Sequence, residues 1–305
     1  EFGTVRARVE DQAHLAVGTS LILGASEDAD GQLVIDSEGS VDVAQATSVG
    51  LDGGHGILTL SGDGTLTSTG PVFLSNVEAS TGVLNIGAAA GAPAAAAGIL
   101  NAPGVAFGVG TGTLVFNHTE PDYVFSTDLQ SNTSGTHIID HVAGTTILTG
   151  DGSGFTGTTN ITGGTLLVGD QGGGGALGGI IDVQSGATLG GSGTVGTTNV
   201  AEDGRIAPGN SIGVLTVDGN LILSDGSFLD YELGSPGSSV GTGTSDRIDV
   251  TGDLTLDGTL NLAQSGDAGD GPAGFGYYRL MTYGGALSGD GLEIGATPSP
   301  SEYEI

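Results

Sequence analysis

Between Gly163 and Leu262 the apolar residues fall on alternate positions, and glycine interrupts them every few residues. Val250, Leu254, Leu256, Leu260 and Leu262 take even positions, with Gly252 and Gly258 in the gaps. Thr251, Asp253, Thr255, Asp257, Thr259 and Asn261 take the odd ones. Upstream, Leu215, Val217, Leu221 and Leu223 form the apolar row around Gly219, while Thr216, Asp218 and Asn220 face outward with the apolar Ile222. A period of two with one apolar face marks a half-buried strand. Strands of four or five residues joined by Gly-Asn or Asp-Gly corners make one side of a coil. One coil cannot bury its inner row alone, so coils must stack. The expected class is all-β, a parallel β-helix with Gly/Asn/Asp-rich turns. A β-sandwich also uses short strands and Gly-rich turns, but its core usually holds more aromatic residues than the 5% present here, with no Trp.

Composition narrows the function classes. Glycine accounts for 61 of 305 residues without a collagen period. High Gly with Ser and Pro can signal disorder, but 37% of the residues are hydrophobic and alternate regularly, which argues for order. The net charge is −30, and the five basic residues are all arginine. Nucleic acid and anionic lipid need Lys or Arg to neutralise phosphate, so neither is an expected partner. The acidity fits a soluble surface that repels its own copies. Cysteine is absent, which suits a chain that crosses a membrane unfolded, because a disulfide formed in the periplasm would lock a loop. No run of 18 apolar residues offers a spanning helix. No signal peptide is recognisable, and Glu1-Phe2 reads as a cloning scar on an excised fragment.

Alternating pairs continue through positions 1–85: Leu21 and Leu23, Leu33 and Ile35, Val41 and Val43, Leu58 and Leu60, Val72 and Leu74. Asp30-Gly31, Asp52-Gly53 and Asp63-Gly64 mark turns between them. Residues 86–110 hold an Ala/Gly-rich stretch around Gly91 and Pro93, which break any helix. This stretch is expected to leave the coils as a loop and is a candidate interaction site. A glycine cluster at 170–179 is expected to be a mobile turn, and Tyr277–Tyr283 a strand. At about 20–25 residues per coil, the chain would make about 12–15 coils and a rod of about 60–70 Å at the strand spacing of about 4.8 Å.

Residues 150–292 carry a resemblance. Gly154-Phe155-Thr156-Gly157-Thr158-Thr159-Asn160-Ile161-Thr162-Gly163-Gly164-Thr165-Leu166 is similar to the passenger-associated transport repeat of Gram-negative autotransporters, the type V secretion proteins. Leu177-Gly178 and Ala187-Thr188-Leu189-Gly190-Gly191-Ser192-Gly193-Thr194-Val195 resemble the family's next phrase, and Ile206-Ala207-Pro208-Gly209-Asn210-Ser211-Ile212-Gly213 its Leu-Ala-Pro-Gly-Asn-Ser signature. Ser245-Asp246-Arg247-Ile248 and Tyr277-Tyr278-Arg279-Leu280-Met281 resemble the autochaperone elements. Positions 1–140 match only in style.

The resemblance implies a right-handed parallel β-helix displayed on the outer face of the outer membrane, or released from it. Its C-terminal coils would fold first and template the rest, and a membrane β-barrel would normally follow. It implies passenger coils over 1–149, transport-repeat coils over 150–200, an autochaperone cap over 201–297 and a linker over 298–305. Nothing after Ile294 reads as barrel strands.

Several motifs hint at chemistry. Gly209-Asn210-Ser211-Ile212-Gly213 fits the nucleophile elbow, but that motif needs a following helix with His and acid partners. Every histidine lies at or before His141. Gly191–Gly196 and Gly152–Gly157 fit G-x-G-x-x-G without the helix a dinucleotide needs. His137 and His141 share one face of a strand about 13 Å apart, too far to chelate one ion, and are expected to be exposed. Glu27-Asp28-Ala29-Asp30 and Asp267-Ala268-Gly269-Asp270 lack the EF-hand spacing. Arg6, Arg8, Arg205, Arg247 and Arg279 are scattered, which disfavours a β-helix lyase on acidic polysaccharide. A hydrolase would need paired carboxylates.

The expectation is therefore no catalytic, cofactor or metal residues, no cofactor, and a non-enzymatic surface adhesin or stalk. Its partner would be a host-cell or matrix component, or a copy on a neighbouring bacterium. Two alternatives stand: a folding and secretion scaffold whose binding activity lies further N-terminal, and a polysaccharide-active β-helix enzyme.

Overall fold

The computed structural model describes residues 4–298, so the cloning-scar reading at Glu1-Phe2 and the linker reading beyond Pro298 lie outside the described residues. Among these residues there is no helix, only short strands. They form two compact units, one of residues 4–146 with 150–160 and one of 147–149 with 161–298. Each is a stack of coils joined by parallel strand pairing, the expected parallel β-helix.

In the first unit each coil has three sides. Thr4–Val9, Asp30–Ile35, His55–Leu60, Thr81–Gly87, Thr111–Asn117 and Thr136–Ala143 pair successively on one side. His14–Val17, Ser40–Val43, Thr65–Ser68 and Ile99–Asn101 form the second. Leu21–Leu23, Thr47–Val49, Val72–Leu74, Gly104–Phe107 and Asp128–Ser131 form the third. The register sets the core. Leu33, Leu58, Leu84, Leu114 and Ile139 lie one above the next, none more than 2% exposed. Each such side chain contributes about 1.5–3 kcal/mol by leaving water.

Two further inward rows bear on the histidines. Ile35, Leu60, Ile86 and Phe116 are continued by His141, and Gly31, Gly56, Gly82 and Gly112 by His137. Both histidines are buried, against the expectation of exposed strand histidines. The reason is phase: they sit on the same alternate positions as Ile139, and that face is the inner one. The glycine row marks a tight corner, since a Cβ at Gly82 would lie 2.1 Å from the Val49 carbonyl oxygen. On the sixth strand of this side, Thr136–Ala143, histidine replaces glycine in this row. His137 lies beside Phe107, ring centroids 5.7 Å apart, and its Nε2 meets the Gly108 carbonyl at 2.7 Å.

In the second unit Leu166, Leu189, Ile206, Leu229 and Leu260 stack in register, and all are buried. Leu215, Val217, Leu221 and Leu223 are buried and Ile222 is exposed, as the alternation predicts. Leu256 is only half-buried. Coil length varies more than expected: Thr188 pairs with Arg205 in one short coil, whereas Thr259 pairs with Glu293 across a coil twice as long. The added length enters as loops between strands.

Three loop expectations change. Ile99–Asn101 and Gly104–Phe107 are strands within the stack, so the Ala-rich excursion is confined to residues 88–98. Ala176–Val183 is a strand, so the glycine-rich turn ends at Gly175. Only Met281–Tyr283 of the Tyr277–Tyr283 segment is a strand. The Tyr278 hydroxyl instead bonds the Gly234 and Gly274 carbonyls at 3.1 Å, fixing that part as a loop.

Candidate functional site

The most elaborate polar arrangement in the second unit surrounds Asp246, a residue that sequence reasoning places in a motif without giving it a role. Its strand neighbour Ile248 points into the core, and Asp246, in the same phase, is only 1% exposed. Oδ1 accepts the Gly213 N–H at 2.9 Å and Oδ2 accepts the Glu232 N–H at 2.7 Å. Its own N–H donates to the Glu232 carbonyl at 2.9 Å. Asp246 thus clips together the Gly209–Gly213 bend and the strand Phe228–Leu233. Burial pushes its pKa up to about 7 against the pull of the two N–H bonds, and the Glu232 and Asp270 carboxylates add to the rise. Glu232 is raised too, by burial and then by Asp270.

Asp246 also lines a cavity of about 560 Å³ with Leu167, Ala207, Pro208, Tyr231 and Ala263. Tyr231 is buried, its hydroxyl donating to the Leu280 carbonyl at 3.2 Å. Each Asp246 oxygen accepts a backbone N–H, so the carboxyl fastens these two segments to each other. The Gly209–Gly213 bend itself pairs with Gly191, whose carbonyl accepts the Gly209 N–H at 2.9 Å. Strand Val214–Val217 follows it, not a helix. The serine of the G-x-S-x-G pattern therefore belongs to a turn between coils, and the elbow geometry is not formed.

The other sequence candidates resolve into structural parts. Gly191–Gly196 spans the end of one strand, a bend and the start of Thr194–Val200. In the 267–270 turn the Asp267 carboxylate accepts the Gly269 N–H at 2.9 Å. In the first unit Asp30 accepts from the Thr4 hydroxyl at 3.1 Å. Among the described residues no three His, Asp or Glu side chains converge as a metal set. Arg205 stacks on Phe228, 4.4 Å from the ring centroid, and pairs with Asp230 at 2.8 Å.

A second buried polar group lies in the first unit, beside the Ala-rich loop. His118 has no exposed side-chain surface. Its Nε2 lies 2.7 Å from Thr146 Oγ1, which also lies 3.2 Å from His141 Nε2. Its Nδ1 lies 3.2 Å from Glu120 Oε2, off the line of a good hydrogen bond. Burial lowers the His118 pKa, and Glu120 acts against that. The sequence signal for this group, His118 and Glu120 followed by His141 and Thr146, is too dispersed to read as one site.

No protein-family model matches the chain. A Brucella suis adhesin, the BmaC autotransporter, is 46% identical over 101 residues, 33% of this chain and 3% of that protein. The Escherichia coli uncharacterized lipoprotein YdeK is 32% identical over 221 residues, 70% of this chain and 16% of the relative. The E. coli uncharacterized protein YuaQ is 41% identical over 64 residues, 21% of this chain and 5% of the relative. The chain thus spans less than a fifth of the length of each of these relatives. Among solved structures, a hyper-glycosylated TibA fragment covers 95% of this chain, with 12% identity and a TM-score of 0.24, a likeness too slight to carry weight. The stacked parallel coils and the match to part of the Brucella autotransporter adhesin bear out the resemblance read from the motifs.

Proposed function

We propose that this chain is part of a non-enzymatic adhesin passenger, displayed at the bacterial surface or released from it, that contacts a host-cell, matrix or bacterial partner. The observation that carries this reading is the 46% identity over 101 residues to an autotransporter adhesin. The fold supports it. Inward rows hold the core, and outward rows of Thr, Asn and Asp are left to meet a partner. Asn199 Nδ2 donates to Asp182 and Asn261 Nδ2 to Asp230, each at 2.8 Å, so these rows are ordered across coils. The test is binding of the purified 305-residue chain to epithelial cells and matrix-coated wells, against an equally acidic β-helix. Saturable binding above that control supports the proposal. Absence of binding by a folded sample overturns it for this segment.

A second reading is favoured by the Asp246 clamp, which ties the motif-bearing segments of the second unit together. On it, the C-terminal coils template folding during type V secretion, and adhesion lies in other parts of the longer protein. Removing 201–305 should then abolish cooperative refolding of the remainder. Equal refolding of 1–200 alone contradicts templating.

A further inference from the structure

The residues of the 88–98 loop are Ala, Gly and Pro, so the loop brings no charge or side-chain hydrogen bond of its own. It is nonetheless tied along one side by the segment Asn117–Tyr123. Asn117 Nδ2 donates to the Ala89 and Ala92 carbonyls at 2.8 and 2.9 Å. The Asn117 carbonyl accepts the Ala88 N–H at 2.9 Å. The Glu120 carboxylate accepts the Ala97 N–H at 3.0 Å, and the Tyr123 hydroxyl donates to the Gly98 carbonyl at 2.9 Å. His118 follows Asn117 in this segment and is bridged to Ala95 by backbone.

Behind those ties runs the chain Glu120, His118, Thr146, His141, in which the Glu120 side chain is 31% exposed and the other three are buried. With the His118 proton on Nδ1 facing the carboxylate, Nε2 accepts from the Thr146 hydroxyl, which in turn accepts from His141 Nε2–H. The Thr146 hydroxyl keeps its acceptor only while His118 Nε2 is unprotonated. An added proton on His118 makes Nε2 a donor, leaves the Thr146 hydroxyl hydrogen without its acceptor, and puts a full charge in a site without solvent. The titratable groups facing His118 are Glu120 and Tyr123 from its own segment and His141, ring centroids 6.3 Å away. Burial raises the Tyr123 pKa, so its hydroxyl stays neutral.

We infer that the Glu120–His118–Thr146–His141 chain is an acid-sensitive latch: at neutral pH it holds the side of the 88–98 loop that faces residues 117–123, and acidification loosens that side while the backbone bonds of residues 96–98 to residues 60–63 remain. The sign follows from linkage. The closed form binds fewer protons at His118 than an opened form, in which the imidazole returns to an ordinary pKa of about 6.5. The latch is at full strength above that value and weakens as pH falls below it, by at most tenfold in the closed-to-open ratio per pH unit for one proton. If the loop contacts a partner, acidification changes the surface offered to it.

The test is amide hydrogen exchange on the 305-residue chain between pH 7.5 and 4.5, corrected for intrinsic rates. The Ala88, Ala92, Ala95 and Ala97 amides are read against those of Asp30–Ile35. The expected result is a fall in loop protection between pH 6.5 and 5.0, of at most about 16-fold for one proton, with the reference strand unchanged. His118→Gln keeps a side-chain hydrogen-bonding group for Thr146 but cannot titrate in this range, and should flatten the profile. An unchanged acid response in H118Q assigns the effect to Glu120 or elsewhere and overturns the latch. If H118Q does not fold, imidazole NMR titration of the unmodified chain decides. A His118 titration that coincides with loop opening supports the latch, and one that leaves the loop amides unmoved overturns it.

Discussion

Glycine makes up a fifth of the chain, and the structure separates glycines the coils require from glycines they merely tolerate. Gly82 and Gly18 make the sharpest comparison, because replacing either by alanine adds one methyl group. At Gly82 the new Cβ would lie 2.1 Å from the Val49 carbonyl oxygen and 2.7 Å from the Ser75 nitrogen. Ordinary contact begins near 3.4 Å, so the backbone of one coil side must retreat by more than the neighbouring side chains can absorb. Overpacking costs about 1–3 kcal/mol where side chains can shift. Here the obstacle is paired backbone, so Gly82→Ala is expected to cost about 3 kcal/mol or more, at or above the top of that range. In a unit of this size that lowers Tm by about 6–12 °C. At Gly18 nothing lies within 4 Å of the added Cβ and φ is not positive. Gly18→Ala is therefore expected to stabilise by about 0.4–1 kcal/mol through the unfolded chain. Urea and thermal unfolding followed by circular dichroism measure both. A Gly82→Ala variant no less stable than an ordinary surface substitution, within about 0.5 kcal/mol of the parent, would refute the reasoning that backbone contact across the corner fixes this row.

Other consequences follow from the same stacking. Leu114→Ala and Leu189→Ala, each in the middle of a buried row, should each cost about 2–5 kcal/mol in urea unfolding. Ile222→Thr, on the exposed face of its strand, should change stability by less than about 0.5 kcal/mol. Asp246 holds its proton more tightly folded than unfolded, so its contribution is fully present below about pH 4 and lost as pH rises toward 7, about 4 kcal/mol in all. Unfolding midpoints of the parent at pH 4, 5.5 and 7 should carry that slope, and Asp246→Asn should reduce it.

The fold is legible in the sequence because its signal is local. Leu215, Val217, Leu221 and Leu223 announce an inner row, and the outward Ile222 obeys the same phase. What stays hidden depends on register between coils. The steps from Gly31 to Gly56, to Gly82 and to Gly112 are unequal, so no fixed period exposes that row. His137 and His141 look like surface polar residues because the sequence carries no sign that they continue rows of glycine and aliphatic side chains. Asp246 is equally opaque, since its partners are backbone N–H groups of Glu232 and Gly213, on other strands and bends of the coil stack. The 277–283 segment has strand-like letters, but Tyr278 spends its hydroxyl on two loop carbonyls.

In-register parallel stacking is the central claim, and engineered cysteine pairs test it directly because the chain has none of its own. Val34 and Thr59 are register partners, and both stand on outward positions of adjacent coils. Ile57 also faces outward but pairs two positions earlier, with Gln32. The measurement is disulfide formation under mild oxidation in Val34→Cys/Thr59→Cys and in Val34→Cys/Ile57→Cys. Adjacent parallel strands put partners within the roughly 4.4–6.8 Å Cα separation that a disulfide needs. The account predicts rapid closure of the first pair and little of the second. Closure of the second pair in preference to the first, or of neither, would contradict the register on which the core and the buried histidines of the first unit depend.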